Sequence, residues 1–204
     1  MMSSHHDVEC LLSYLHEEVP RFITSISNQL LEQCHTDVAC LAADHVCYRT
    51  QSLEQYTELT KSLNDAPAKC KLLIESEIGG RLISTYKLTS PITFRCGDTE
   101  RKIDVIEVPS PKQGSPYQAG LEHVEFVIGD GCNDTSPLND EKHREALQNF
   151  MNANQSVSWS TKAMEKDCNP DVSAELEIDR YGAVSVKFHL MPLEDVIDFE
   201  LKQT

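Results

Sequence analysis

Four side chains of metal-ligating type stand at matched places in two strand-like runs and in the strands that close them. The runs are Asp44-His45-Val46-Cys47-Tyr48-Arg49 and Glu122-His123-Val124-Glu125-Phe126-Val127. Side chains alternate across a strand, so His45, Cys47 and Arg49 share one face while Val46 and Tyr48 take the other. His123 and Glu125 likewise oppose Val124 and Phe126. Further along, Glu107 lies between Ile106 and Val108, and Lys187 and His189 alternate with Val184, Val186, Phe188 and Leu190. Matching the strand ends IEVPSP and FHLMP sets Glu107 against His189, 62 residues after His45 and 66 after His123 respectively. If the two sheets curve toward each other, His45, Glu107, His123 and His189 converge in one cavity. Two or three imidazoles with a carboxylate are what Zn²⁺, Ni²⁺, Mn²⁺ and Fe²⁺ sites use, with positions left open for substrate oxygens. A lone strand histidine is more often a satisfied structural residue, but four ligand types at equivalent places in a repeat favour the metal reading. His5, His6, His16, His35 and His143 fall on terminal, helical or loop segments and read as solvated.

The elements that must position these groups form two copies of one unit. The first 35 residues read as helix, with Val8, Leu11, Leu12 and Leu15 at helical spacing, an interruption at Pro20, then Phe22, Ile23, Ile26, Leu30 and Leu31. That predicts a helical hairpin or a kinked helix. From Asp44 the texture is strand, a helix capped at Ser52, then strands over 70–77, 81–88 and 102–108. A loop rich in turn formers follows at 109–116. The order then repeats, with a strand over 121–128, a helix over 139–151, and strands over 157–161, 173–178 and 183–190. The division is an N-terminal helical segment over 1–40, a first βαβββ module over 41–112 and a second over 113–204, in one compact domain.

Composition narrows the function classes. The chain has 204 residues, with 18 basic against 33 acidic ones and a net charge of −15. Such a surface repels phosphate backbones and anionic headgroups, so the expected partner is a small-molecule substrate or ligand, with no nucleic acid and no membrane. No window approaches a bilayer-spanning apolar run. The N-terminus is polar, without a basic region followed by an apolar stretch, and reads as no secretory signal. The expected location is therefore cytoplasmic. Eight evenly scattered cysteines, none in a C-x-x-C pair, read as reduced thiols, with Cys47 on the cavity face. The sequons at Asn133 and Asn154 are chance matches in that compartment.

The segments DHVCYRT, RLISTYKLTSPI, IDVIEVPSPKQGSPYQAGLEHVEFVI and KFHLMPLEDVI resemble the YecM-like proteins, a branch of the vicinal-oxygen-chelate superfamily, over roughly residues 40–204. The resemblance implies an α+β fold in which paired βαβββ modules form a cup-shaped half-barrel around a divalent metal, with the helical segment N-terminal to it. It also implies ligands on the first and last strands of each module, hence His45, Glu107, His123 and His189. Many relatives carry a carboxylate at the fourth position, where this chain has a histidine. Glu125 can replace it as ligand or serve as a base.

The function expected is that of a metal-dependent isomerase, lyase or non-haem iron oxygenase acting on a small oxygen-chelating substrate. Glu125 or Glu107 would move a proton if the cavity raises its pKa, and Arg49 would fork onto a substrate carboxylate or phosphate. Lys187 adds charge nearby. The alternatives are a non-catalytic metal- or ligand-binding protein, and a protein-interaction scaffold. The scaffold reading requires an exposed apolar stripe on residues 8–31.

Overall fold

The computed structural model describes residues 7–96, 99–112, 114, 118–129, 138 and 140–203. His5, His6, Cys132 and the Asn133 sequon lie outside the described residues. Helix α1 (Val8–Cys34) opens on Asp7, whose carboxylate accepts from Cys10 N at 2.9 Å, and closes on His35 in the left-handed region. It runs unbroken through Pro20, where a hairpin or kink was expected. Val19, Phe22 and Ile23 are fully buried on either side of the proline, so packing holds the axis against one missing N–H. Leu11, Leu15, Ile26 and Leu30 are buried too. The apolar stripe therefore faces inward, and the scaffold reading loses the feature it needed. Glu18 ties α1 to the second half of the chain. Its carboxylate accepts from Arg180 Nη2 at 2.7 Å and from the Tyr181 hydroxyl at 2.8 Å.

The first module comprises β1 (Ala42–Arg49), α2 (Leu53–Asn64), β2 (Cys70–Ile78), β3 (Arg81–Cys96) and β4 (Thr99–Pro109). The second comprises β5 (Gly120–Val127), α3 (Glu141–Ala153), β6 (Val172–Ile178) and β7 (Gly182–His189), followed by α4 (Leu193–Leu201). The expected strand over 157–161 is reduced to one bridge between Ser160 and Ser173. Strands β3 and β4 extend beyond the expected hairpin. Pro91 sits in the register irregularity between Lys87 and Ile92. Gly79 and Gly80, both at positive φ, make the tight β2–β3 turn.

The seven strands form one open sheet in the order β2-β3-β4-β1-β5-β7-β6. β1 runs antiparallel to β5, parallel to β4, and β5 runs parallel to β7. Val46 pairs with Val124, and the two modules flank that pair as near-symmetric halves. One face of the sheet carries Val46, Tyr48, Ile106, Val108, Val124, Phe126, Val186 and Phe188 into a core with α1, α2 and α3. The other face carries the polar residues singled out above. The seven described cysteines are free thiols. Among the described residues no helix is long and apolar enough to cross a membrane.

Phe188 is fully buried, with ring centroids 4.9 Å from Phe150, 5.5 Å from Trp159 and 5.7 Å from Phe126. Phe188→Ala should cost about 3–5 kcal/mol in urea unfolding, while Leu201→Ala, on an exposed turn of α4, should stay within about 0.5 kcal/mol.

Candidate metal centre

Two bulges in the central seam set up the site. The β1–β5 pairing passes from Ala43–Phe126 to His45–Glu125, skipping Asp44, and from Cys47–His123 to Tyr48–Leu121, skipping Glu122. The skipped residues occupy matched places, each an acid directly before a site histidine. A bulge re-aims the side chain it carries. Asp44 Oδ2 accepts from His45 Nδ1 at 2.8 Å and from the Leu193 N–H, at the start of α4, at 3.0 Å. That contact puts a proton on Nδ1 and turns His45 Nε2 toward the cavity, as a carboxylate behind a metal-ligating histidine does.

The donors converge. His45 Nε2 lies 3.3 Å from Glu125 Oε1 and 3.7 Å from Glu107 Oε2. His123 Nε2 lies 3.3 Å and 3.5 Å from the same two oxygens. All four donor atoms fall within 4.8 Å of one another. Donors about 2.1 Å from a common ion at tetrahedral angles stand about 3.4 Å apart, so this spacing fits a first-row divalent cation. His45 Nε2 is buried, and the Glu125 and Glu107 carboxylates are the polar groups it faces.

Charge is concentrated here. Burial alone pushes His45 down, but the Glu125 and Glu107 carboxylates beside it outweigh that and hold it well above the usual imidazole range. Burial raises Glu107, yet His45 and His123 pull it down to about 2. Glu125 is held well below the usual carboxylate range because Lys187 and His45 outweigh its burial. Both remain ionised, which suits ligation.

The register revises the fourth position. Cys47 pairs with Glu107 across β1–β4, and its counterpart Glu125 pairs with Lys187 across β5–β7. Lys187, not His189, is thus the equivalent of Glu107. Lys187 Nζ donates to Glu125 Oε1 and stands 3.4 Å from His123 Nε2. His189 lies farther along β7, with Nε2 3.5 Å from both Glu125 Oε2 and Asp44 Oδ2. The side-chain amide of Asn169 accepts from Met191 N–H at 3.3 Å and donates to Met191 C=O at 3.0 Å. Its orientation is thereby set, and its remaining N–H faces His189 Nδ1 at 3.3 Å. Neutral His189 then carries its proton on Nε2 and presents a donor rather than a lone pair. Glu125 joins His45, Glu107 and His123 in a group that could hold an ion, while His189 falls with Asp44 and His45 in a second such group.

Other expected residues fall elsewhere. Arg49 sits at the end of β1 opposite Gly120, 3.4 Å from Glu122, and lines a separate cavity with Tyr14 and Tyr181. It does not line the cavity over the donors, and its guanidinium is paired with Glu122 instead. Cys47 is buried on the site face, its thiol pushed well up by burial and by Glu122. His143, read as solvated, is buried in α3 with Nδ1 3.1 Å from Asp140; helix periodicity turns it inward beside Leu147.

A cavity of about 400 Å³ opens over the donors. His45, Glu107, Glu125 and Lys187 form its polar side; Ile74, Ile83, Leu193, Val196 and Ile197 form an apolar wall. Asp44, Asn169 and α4 carry no motif of their own in the sequence, although the matched acid before each histidine is visible there.

The family model described as YecM protein matches residues 12–200. No curated protein matches the chain. Among solved structures, a structural-genomics protein designated EC4020 superposes with a TM-score of 0.64 at 22% identity, covering 93% of this chain and 92% of that one. A methylmalonyl-CoA epimerase gives a TM-score of 0.44 at 11% identity, over 72% of this chain and 94% of its own. A mutant 4-hydroxymandelate synthase from Streptomyces coelicolor gives 0.34 at 11%, over 79% and 55%.

Two measurements follow from the geometry. Long-range ¹H–¹⁵N correlation spectra should show neutral His189 as the Nε2–H tautomer, and Asn169→Ala should release it to a mixture. Because Glu107 is depressed from 4.5 to about 2, its pairing contributes stability that is complete above 4.5 and lost as pH falls from there toward 2. Urea unfolding of the metal-free protein across that interval should show the loss, and Glu107→Gln a shallower one.

Proposed function

The chain belongs to the YecM family, and from that starting point we propose that it is a divalent-metal-dependent enzyme of the vicinal-oxygen-chelate type. Its substrate is a small molecule engaged through two neighbouring oxygens. The observation that carries this reading is the donor set, in which His45, Glu107, His123 and Glu125 stand at ligand spacing beneath a cavity.

These four residues would hold the ion, which when bound supplies Lewis acidity toward enolate or alkoxide charge developing on the substrate oxygens. The remaining work falls to the chain. Asp44 holds His45 in the required tautomer. Glu107 and Glu125, already ionised, need shed no proton before ligating. His189 Nε2 stands 3.5 Å from the second oxygen of Glu125, on the side of the carboxylate facing away from the other donors. Residues of α4 and β2 give the cavity an apolar wall against which the carbon skeleton of a substrate would pack. A cavity of about 400 Å³ lies within the range of small-ligand sites. A centre built only to sequester an ion needs no such space. Isomerase or lyase chemistry is the leading subclass, since it requires little more than a polarising ion and a proton acceptor. The two histidines and a carboxylate also suit a non-haem iron oxygenase.

Metal analysis of protein purified without a tag or chelator tests the reading. The wild type should carry close to one divalent ion per chain. His123→Ala should lower the content by about tenfold or more with an unchanged melting profile, because Val124 and Phe126 keep their packing face. A wild type that takes up no Zn²⁺, Ni²⁺, Mn²⁺ or Fe²⁺, combined with an unfolded His123→Ala, would make the histidine a structural core residue and sink the proposal.

A further inference from the structure

Lys187 has no part in the donor set, yet it occupies the place that the register makes equivalent to Glu107. An ammonium has no lone pair and cannot ligate an ion. Its surroundings are otherwise hostile to anions, since Asp44, Glu107 and Glu125 crowd the same floor. The side chain is only 25% exposed, and that exposure is toward the cavity it lines. A second ammonium, Lys166, lines the same cavity and pairs with Asp171 at 2.5 Å. Across from them the wall is aliphatic, formed by Ile74, Ile83, Val196 and Ile197.

We infer that Lys187 reads a carboxylate on the substrate, and that the ligand class is a small 2-oxo or 2-hydroxy carboxylate with an aliphatic tail. The inference rests on the metal-centre reading above. Such a molecule offers two neighbouring oxygens for the ion and keeps a further carboxylate oxygen for the ammonium. Lys187 Nζ lies 3.4 Å from the donor nitrogen of His123, so the anion it binds is adjacent to the ion. A cation held by Glu125 competes with Lys187 for Oε1, so loading the centre frees the ammonium for the incoming carboxylate. The tail then lies against the isoleucine and valine wall. Charge-assisted hydrogen bonds of this kind are short and directional, which makes them discriminating.

The test uses the full chain loaded with Mn²⁺ and titrated with 4-methyl-2-oxopentanoate and with its methyl ester, by calorimetry and by Mn²⁺ electron paramagnetic resonance. The wild type should bind the acid about tenfold or more tightly than the ester. Lys187→Met should bind Mn²⁺ as tightly or more tightly, since a like charge beside the ion is gone, and should lose about tenfold in affinity for the acid while the ester binds within about twofold of its wild-type affinity. Lys187→Arg should retain tight binding of the acid. Equal binding of acid and ester by the wild type overturns the inference without any variant, as does an acid affinity that is unchanged in a folded, Mn²⁺-loaded Lys187→Met. Loss of both Mn²⁺ and ligand in a folded Lys187→Met would make the lysine a structural counter-ion and overturn it too. A wild type that holds no Mn²⁺ fails at the metal centre instead, and the two failures are read separately.

Discussion

The pairing of Val46 with Val124 across the antiparallel β1–β5 seam is the constraint from which the rest of the site is measured. A bulge lies on each side of it, one at Asp44 and one at Glu122. Because the two strands run antiparallel, the same local sequence in each brings its histidine to the same face from opposite directions. His45 and His123 thereby stand with ring centroids 6.0 Å apart. The parallel partners β4 and β7 then add one residue apiece at the next position outward, Glu107 on one side and Lys187 on the other. The near-symmetry supplies the imidazoles; its violation at the fourth place supplies an ammonium where a ligand would stand.

Burying so many charges is costly unless they satisfy one another. Two carboxylates on the floor are matched by Lys187 and by His45, each displaced from its ordinary pKa in the direction that keeps it charged. The cluster is thus self-compensated without an ion. On the proposed function, a divalent cation at the donors would take over the role that the protonated imidazole and the ammonium fill, and its binding would be coupled to the release of protons and to the freeing of Lys187.

Surrounding contacts transmit the fold to the centre. Asp44 bonds both to His45 and to the first N–H of α4, so the helix that walls the cavity and the histidine that faces it share one carboxylate. Asn169 is held by both backbone groups of Met191 and in turn sets His189. One support lies on β1 and is tied to α4, the other lies on the segment before β6 and is tied to the chain after β7, and both act by fixing which nitrogen carries a proton.

Much of this was legible in the sequence, for a local reason. Alternation of Val46 and Tyr48 with His45 and Cys47, and of Val124 and Phe126 with His123 and Glu125, assigns faces without reference to any other strand. The matched DH and EH dipeptides identify the repeat, and with it the equivalence of His45 and His123. Periodicity likewise locates α1 and α2, although it could not foresee that packing around Pro20 would keep α1 in one piece. The fourth position lay beyond reach because period two is blind to a shift of two. Lys187 and His189 share a face, and only the parallel register of β5 with β7 chooses between them. Bulges are similarly invisible to alternation, which is why Asp44 was not expected at the donors. The proton position on His189 depends on Asn169, 20 residues away, whose orientation is set by contacts with the backbone of Met191 just beyond β7. Side-chain facing is a property of one strand, whereas register, bulge and tautomer are properties of several segments held together.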